Sequence, residues 1–250
     1  MTRVSRWAKQ AAMGAGGIAS DRWRRRAARL LALIRDGRAR SELFTRLRFG
    51  AQVHQDISLS FHDRYPRLFA AARALLADRP APRILSYGCA AGEEVTSLRS
   101  YFPDAMLVGA EINPVLLRAC RRLPADVNRI FIASRHDLIA AHGPYDAIFA
   151  MAVFTRRPEE VRERDLRDIS SHYPFALFAR DLRQLALTLA PGGLLLVEHA
   201  QYRVEDALAG LPFSAVRGPG EWLAKGPRFA PDGIRIEPQP VIARIFRRTD

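Results

Sequence analysis

A short loop bounded by glycines, between a predicted strand and a predicted helix, constrains this chain most strongly. Residues 84–94 run from an apolar stretch through Gly88 and Gly92 into a pair of glutamates. Glycine lets the backbone turn tightly and lie close to a ligand, where a β-carbon would clash. The next helix begins near Glu93, so its amide groups and positive dipole end face a bound anion. The loop therefore indicates a nucleotide-type binding site in an α/β protein.

An acidic residue follows this loop at the spacing that nucleotide-binding sheets use. Glu111 ends the predicted second strand, about 20 residues beyond the loop, where a carboxylate accepts hydrogen bonds from a ribose diol. The same two features occur in NAD enzymes, so an NAD-dependent oxidoreductase is an alternative at this point.

Short apolar strands alternate with helical segments after Pro82, which is typical of βαβ units and a parallel sheet. The predicted strands are 83–87, 106–111, 129–133, 145–151 and 193–199. The predicted helices lie near 65–77, 93–101, 114–123 and 174–189. Two further strands are predicted in the tail, at 213–216 and 241–247. We therefore predict an α/β, Rossmann-like sheet that is mainly parallel, with seven strands and an antiparallel C-terminal strand.

The residue types in the loop resemble motif I of class I S-adenosylmethionine (SAM)-dependent methyltransferases. The run Gly-Cys-Ala-Ala-Gly-Glu-Glu at 88–94 is similar to the Gly-Cys-Ser-x-Gly-Glu-Glu type of chemotaxis-receptor (CheR-type) methyltransferases. Residues 189–197 look like the family's Pro-Gly-Gly turn and fifth strand, and residues 145–149 look like its fourth strand. The resemblance covers roughly residues 83–200. It implies a Rossmann-like methyltransferase fold with SAM as cofactor, and we predict this domain at 81–250. The charge distribution and helical pattern predict a basic helical N-terminal arm at 1–80 before it.

The resemblance also implies roles for individual residues. Glu111 would hold the ribose hydroxyls, Ile112 would pack on the adenine, and Glu93 would lie near the methionine ammonium or the ribose. The methionine and ribose side of the cofactor would be lined by Tyr87, Gly88, Ala90 and Gly92. The adenine edge would be read by Ser134 and Arg135, and the methyl group would be bordered by Ala150, Met151 and Ala152. The chain departs from the family at Ser86, where an acid is frequent, and at Ala90, where a third glycine is common.

Methyl transfer from a sulfonium depends mainly on positioning, and a general base is needed only when the acceptor must lose a proton. The candidate bases are His136, His172, Tyr173 and His199. We predict His199 as the catalytic base because it ends the predicted fifth strand, on the rim where ligands sit in such sheets. Its alternative role is a hydrogen bond to a neighbouring loop, and Tyr173 has a packing role beside Pro174 as its alternative.

The residues after the fourth strand restrict the acceptor. Nucleic-acid methyltransferases that act on amino groups show Asn/Asp-Pro-Pro-aromatic there, whereas residues 150–154 read Ala-Met-Ala-Val-Phe. The two cysteines, Cys89 and Cys120, fit neither cytosine methylation nor a metal site. Arg156 and Arg157, in a charged segment, could select an anionic acceptor. We predict methyl transfer to a small molecule, a carboxylate or another oxygen nucleophile; the alternatives are an RNA methyltransferase and a weakly active or inactive scaffold protein.

Basic charge is concentrated at the beginning of the chain. The first 50 residues contain 13 Lys and Arg against 3 Asp and Glu, out of a formal net charge of +13 for all 250 residues. Asp21 can cap a helix that Gly37 ends, with arginines on its polar face. Such an arm could attract RNA, an anionic membrane surface or an acidic protein, and a solvated helix face is the alternative. No apolar run approaches the roughly 20 residues of a membrane span, and we expect a cytoplasmic protein.

Overall fold

The computed structural model describes residues 36–55, 60–217, 221–223 and 226–250. The chain divides after Phe44 into two units, and the second, Thr45–Asp250, holds the sheet. The glycine-rich stretch before residue 20 and the helix predicted from Asp21 lie outside the described residues. Gly37, which the sequence predicts as a helix end, is instead the first residue of a helix, α1 (Gly37–Phe49).

Helices and strands alternate through the second unit. In chain order they are α2 (Pro66–Leu75), β1 (Arg83–Tyr87), α3 (Glu93–Tyr101), β2 (Met106–Glu111), α4 (Pro114–Cys120), β3 (Arg129–Ala133), α5 (His136–Ala141), β4 (Tyr145–Met151), α6 (Pro158–Glu163), α7 (Phe175–Ala186), β5 (Leu189–Glu198), α8 (Val204–Leu208), β6 (Phe213–Ala215), β7 (Glu221–Leu223), β8 (Val241–Ala243) and β9 (Ile245–Arg248).

Seven of the described strands form one sheet in the order β3-β2-β1-β4-β5-β9-β6. The neighbours from β3 to β5 pair in parallel, and β9 runs antiparallel to both β5 and β6. The short strands β7 and β8 form a separate antiparallel pair. The predicted fold, a mainly parallel seven-stranded sheet with an antiparallel C-terminal strand, is confirmed.

The sheet is buried on both faces, which explains why its strands read as nearly continuous apolar runs. Adjacent residues point to opposite faces, so Ile84 packs with α2, α3 and α4, whereas Leu85 packs with α5 and α7. Because the carboxyl ends of parallel strands meet at one edge, the loops after β1, β2, β4 and β5 lie together there.

The structure differs from the sequence prediction in β5 and in the tail. β5 begins at Leu189, before the Pro-Gly-Gly turn, and its register with β4 shifts between Tyr145 and Ala147, so the turn is a bulge inside the strand. The single strand predicted at 241–247 is divided at Arg244, whose side chain is fully buried and reaches Glu198. The residues before Arg244 pair with β7 and those after it pair with β5 and β6.

Candidate active site

The loop after β1 makes the tight turn that its glycines predict. Gly88 and Gly92 have φ angles of 76° and 97°, in the left-handed region that favours glycine. The Gly88 N–H donates to the Ala110 carbonyl at 2.8 Å, which holds the loop against the end of β2. A β-carbon at position 92 would come within 2.7 Å of Leu123 Cδ1. The loop therefore depends on glycine both for its backbone angles and for its packing.

Glu111 lies at the end of β2, buried beneath this loop. One carboxylate oxygen accepts from the Ala90 N–H at 2.9 Å, and the other accepts from the Asn113 N–H at 2.7 Å. Burial raises the pKa of Glu111 to about 7, although the backbone N–H groups around it act in the opposite direction. The Ile112 N–H also hydrogen-bonds this carboxylate. A carboxylate has about four lone-pair positions, so the three N–H donors leave an acceptor position open for the ribose.

Two buried polar atoms near this loop have no hydrogen-bond partner among the described residues. They are Glu93 Oε2, at the start of α3, and the phenol oxygen of Tyr65, just before α2. A buried polar group without a partner is costly, so such atoms mark a position suited to a ligand. An orphaned carboxylate oxygen fits the role that the resemblance implies for Glu93, next to an ammonium or a hydroxyl. The residues present therefore fit the cofactor.

Ser86, where the family frequently has an acid, is hydrogen-bonded to a different acid. Its hydroxyl donates to Glu94 Oε1 at 2.7 Å. Burial raises the pKa of Glu94 to about 8, and the hydrogen bond from Ser86 offsets only part of this effect. A carboxyl group is therefore present beside the end of β1, supplied by α3 rather than by the strand itself.

The residues predicted on the adenine side separate in the structure. The Ser134 N–H donates to the Glu111 carbonyl at 3.1 Å, and its side chain hydrogen-bonds the Tyr87 phenol. Ile112 is half-buried next to them. Arg135 is exposed and forms an ion pair with Asp137 at 2.5 Å. Ser134 and Ile112 thus lie beside Glu111, whereas the Arg135 side chain is engaged at the surface.

The ends of β4 and β5 carry unusual backbone conformations. Ala152 and His199 have φ angles of 59° and 56°, and Ala90 in the first loop has 51°. Left-handed angles are uncommon for residues other than glycine, and they concentrate at functional sites. Ala150 and Met151 are buried just before this position. Three strand ends at the same edge of the sheet therefore have strained residues where the ligand-binding loops begin.

His199 is positioned by a buried ion pair and by an aromatic neighbour. Its backbone follows Glu198, which pairs with Arg244 Nε at 2.5 Å. The His199 side chain is 31% exposed, and its ring centroid lies 6.0 Å from that of Tyr65. The predicted base thus stands at the rim of the site, near one of the unpartnered buried groups.

The other candidate bases have different surroundings. His136 begins α5 at the surface. His172 is half-buried, with a buried Nε2 that has no hydrogen-bond partner among the described residues. Arg157 pairs with Glu160 at 3.6 Å on the exposed side of α6. The guanidinium of Arg156 lies 5.2 Å from the centroid of the Tyr173 ring and donates a hydrogen bond to the Val53 carbonyl.

Tyr173 belongs to a buried hydrogen-bonded series that the sequence does not reveal. Its phenol oxygen lies 2.5 Å from His54 Nδ1, and His54 Nε2 lies 2.9 Å from Asp181 Oδ2. Tyr173 and His54 are almost fully buried. His54 precedes the first predicted strand and Asp181 is one of several charged residues on α7, so no local pattern connects them. We call these three residues the Tyr–His–Asp series.

Neither a metal site nor a membrane span is found in the part of the chain that the structure describes. No group of three His, Cys, Asp or Glu side chains there could hold a metal ion. None of the helices there has the length and apolar character needed to cross a membrane. The Cys120 thiol donates to the Ala90 carbonyl at 3.1 Å, and Cys89 is buried beside it, so both cysteines support the loop.

Comparison with known proteins places the sheet and loop in a family. Residues 60–248 match the family model described as a methyltransferase domain. No curated protein matches the sequence.

Several solved structures are similar to the chain at low identity. The plantazolicin methyltransferase BpumL in complex with SAH is 16% identical, with 66% of this chain and 55% of that chain covered and a TM-score of 0.38. The bifunctional kinase-methyltransferase WbdD is 16% identical, with 79% and 43% covered and a TM-score of 0.46. The cyclopropane synthase MmaA2 from Mycobacterium tuberculosis is 16% identical, with 52% and 40% covered and a TM-score of 0.38. The chain spans about half of the length of the solved proteins that it matches, or less.

Proposed function

The chain belongs to the methyltransferase-domain family, and on this premise we propose that it transfers a methyl group to an oxygen atom of a small-molecule acceptor. It is a class I SAM-dependent methyltransferase, and its cofactor is SAM. When bound, SAM supplies a methyl group carried on a sulfonium sulfur. The observation that supports the proposed site most directly is the buried Glu111 carboxylate, held by the Ala90, Asn113 and Ile112 N–H groups with an acceptor position to spare.

Glu111 would hold the ribose hydroxyls, and Glu93 would offer its unpartnered oxygen to the ammonium or the ribose. Ile112 and Ser134 would flank the adenine, and Arg135 would lie at its edge with its side chain paired to Asp137. The methionine and ribose side would be lined by Tyr87, Gly88, Ala90 and Gly92, and the methyl group would be bordered by Ala150, Met151 and Ala152. The chain's own contribution is to hold the cofactor in one orientation and to exclude water at the ends of β1 and β4.

Two classes of oxygen acceptor follow from the sequence. A carboxylate acceptor is consistent with the resemblance of the loop residues to those of CheR-type methyltransferases. Its methylation needs no general base. A hydroxyl acceptor must lose a proton, and His199 at the rim of β5 is the predicted base. Replacing His199 by Gln tests this role, since it should slow methylation of a hydroxyl while leaving SAM affinity unchanged.

The basic beginning of the chain supports a second proposal, an anionic partner such as RNA, a membrane surface or an acidic protein. It rests on the excess of ten positive charges in residues 1–50, given by 13 Lys and Arg against 3 Asp and Glu. Deleting residues 1–35 should spare SAM binding and reduce salt-sensitive association with RNA or acidic vesicles. Association that is unchanged and insensitive to salt would contradict this proposal.

Calorimetric titration of the full chain with SAM, S-adenosylhomocysteine and NAD tests the proposed function. We expect SAM and S-adenosylhomocysteine to bind and NAD not to bind. Binding of none would favour the inactive scaffold, and binding of NAD alone would favour an oxidoreductase.

A further inference from the structure

The Tyr–His–Asp series is arranged as a path for a proton. Burial by itself raises the pKa of Asp181, but hydrogen bonds from His54 and Arg180 outweigh it and lower the pKa below its ordinary value. Asp181 is therefore ionised at neutral pH and can only accept hydrogen bonds. His54 must then donate from Nε2, which leaves the lone pair of Nδ1 to accept the Tyr173 proton at 2.5 Å.

Burial and the positive charges around His54 keep its imidazole neutral, so that it can accept a proton. Burial lowers the pKa of His54 below its ordinary value of 6.5, and the opposing effect of Asp181 does not cancel this. Arg156 and Arg180 lower the pKa further through their positive charge. His54 is therefore a neutral imidazole at pH 7. A proton that reaches Nδ1 would form an imidazolium facing the Asp181 carboxylate.

The series lies beside the strand ends that form the candidate active site. The His54 ring centroid is 4.9 Å from that of Phe154, which in turn stacks on Tyr87 at 5.9 Å. Gln55 donates to the Ala152 carbonyl at 3.4 Å. His54 is thus attached to the ends of β1 and β4, where the methyl group would be delivered.

A second observation points to a polar ligand at this place. Arg156 Nε is buried and has no hydrogen-bond partner among the described residues, although its guanidinium lies over the Tyr173 ring. The unpartnered nitrogen of Arg156, whose guanidinium lies over the Tyr173 ring, is suited to an oxygen-bearing molecule that binds beside Arg156.

We propose that the methyl acceptor is a hydroxyl compound seated against Arg156, and that Tyr173 takes its proton and passes its own proton to His54. This inference rests on the proposed function. The acceptor O–H bond breaks and its electron pair stays on oxygen, which forms the new bond to the methyl carbon. The acceptor proton goes to the phenol oxygen of Tyr173, and the phenol proton goes to His54 Nδ1. Tyr173 never has to ionise, and Asp181 stabilises the charge that His54 gains.

The proposal selects one of the two classes of oxygen acceptor. A carboxylate is already deprotonated at neutral pH, so it would make no use of the buried Tyr173 and His54, whose desolvation is costly. A phenol or an alcohol requires a proton acceptor, and general base catalysis typically contributes about 10²-fold to 10⁴-fold in rate. In this arrangement Tyr173, in place of His199, would be the catalytic residue that takes the acceptor proton, and His54 and Asp181 would be positioning residues.

The experiment compares Tyr173→Phe and His54→Gln with the wild-type chain on phenols, alcohols and matched carboxylic acids. SAM affinity is measured by calorimetry, and transfer is measured as S-adenosylhomocysteine formation. Tyr145→Phe is the matched control. Tyr145 lies at the amino end of β4, and its buried phenol donates to the Ile139 carbonyl. We expect methylation of a hydroxyl compound, a loss in kcat of about 100-fold in Tyr173→Phe, and unchanged SAM affinity.

The pH dependence separates a proton path from a packing role. In the wild-type chain kcat should fall as the pH drops through the pKa of His54, and this limb should move or disappear in His54→Gln. Three results would overturn the inference. The chain could methylate carboxylic acids only, it could bind SAM and methylate none of the compounds, or Tyr173→Phe could methylate hydroxyl compounds as well as the wild type does. A chain that binds no SAM contradicts the proposed function instead, so the two failures are distinguishable.

Discussion

The carboxylate of Glu111 accepts a hydrogen bond from the backbone N–H of Ala90 at 2.9 Å. This contact joins the end of β2 to the loop after β1, so the acid and the loop are fixed relative to each other before any ligand binds. Ala90 stands where the family often has a third glycine, and its φ of 51° shows that alanine adopts the left-handed angle that the loop requires.

Replacing Glu111 by Ala should abolish tight SAM binding, because the ribose hydroxyls lose their acceptor and the Ala90 N–H loses its partner. Calorimetry should show a loss of at least about tenfold in affinity, which corresponds to about 1.4 kcal/mol. Asp146→Asn is the control, since this carboxylate accepts from the Arg83 N–H at the opposite end of the sheet. Retained affinity in Glu111→Ala, with the control unchanged, would remove the ribose assignment.

SAM affinity should increase with pH through the pKa of Glu111, which burial raises to about 7. Above this pH the carboxylate is ionised and accepts from the ribose, whereas below it a proton must be released on binding, which costs up to about tenfold per pH unit. Titrations at several pH values in wild type and Glu111→Gln measure the effect. The variant should lose the dependence centred near pH 7 and retain any that belongs to Glu94; equal slopes in both proteins would contradict the prediction.

Gly92→Ala should weaken SAM binding and destabilise the protein. Alanine at a φ of 97° is strained, and its β-carbon would come within 2.7 Å of Leu123 Cδ1. Gly210→Ala is a matched control, because Gly210 has a φ of 79° with no atom within 4 Å of an added β-carbon. Denaturant titrations should show a loss of about 1 kcal/mol in each from backbone strain, with a larger loss in Gly92→Ala. Equal losses and equal SAM affinity would show that the crowding at position 92 is unimportant.

The buried carboxyl of Glu94 should make the cofactor-free protein less stable at high pH. Its pKa is raised from 4.5 to about 8 by burial, so its contribution to stability is fully present below pH 4.5 and is lost as the pH rises through 8. The side chain of Glu94→Gln stays neutral at every pH. The free energy of unfolding of the variant should therefore exceed that of the wild type by an amount that grows as the pH rises from 4.5 to 8. The full rise in pKa corresponds to a gain of about 5 kcal/mol. A difference that is independent of pH would show that Glu94 is solvated.

The sequence is most informative where the signals are local. The bounds of β1, β2, β3 and β4 agree with the prediction because each strand is a short apolar run between turn residues. The break at Arg244 is not predictable in this way, because it depends on an ion pair with Glu198 across the sheet. A run that looks like one strand is therefore shared between two sheets.

The candidate site likewise contains residues that a local motif predicts and residues that only the fold brings together. The roles expected of Gly88, Gly92 and Glu111 follow from a motif of fewer than thirty residues. The Tyr–His–Asp series joins residues 119 and 127 positions apart, so only the fold brings them together. Arg135 is the opposite case. Its position just after the third strand predicts a role at the adenine edge, but its side chain pairs with Asp137 at the surface.

The insertion of β9 between β5 and β6 determines the order in which the sheet can be completed during synthesis. Among the described strands, β6 pairs only with β9, which begins thirty residues after β6 ends, at Ile245 against Ala215. Until that late strand emerges from the ribosome, β5 and β6 both keep an open edge, and open edges are where nascent chains pair with the wrong partner. Slow translation after residue 215 would therefore lengthen the time for which the edge of β5 is exposed to other chains.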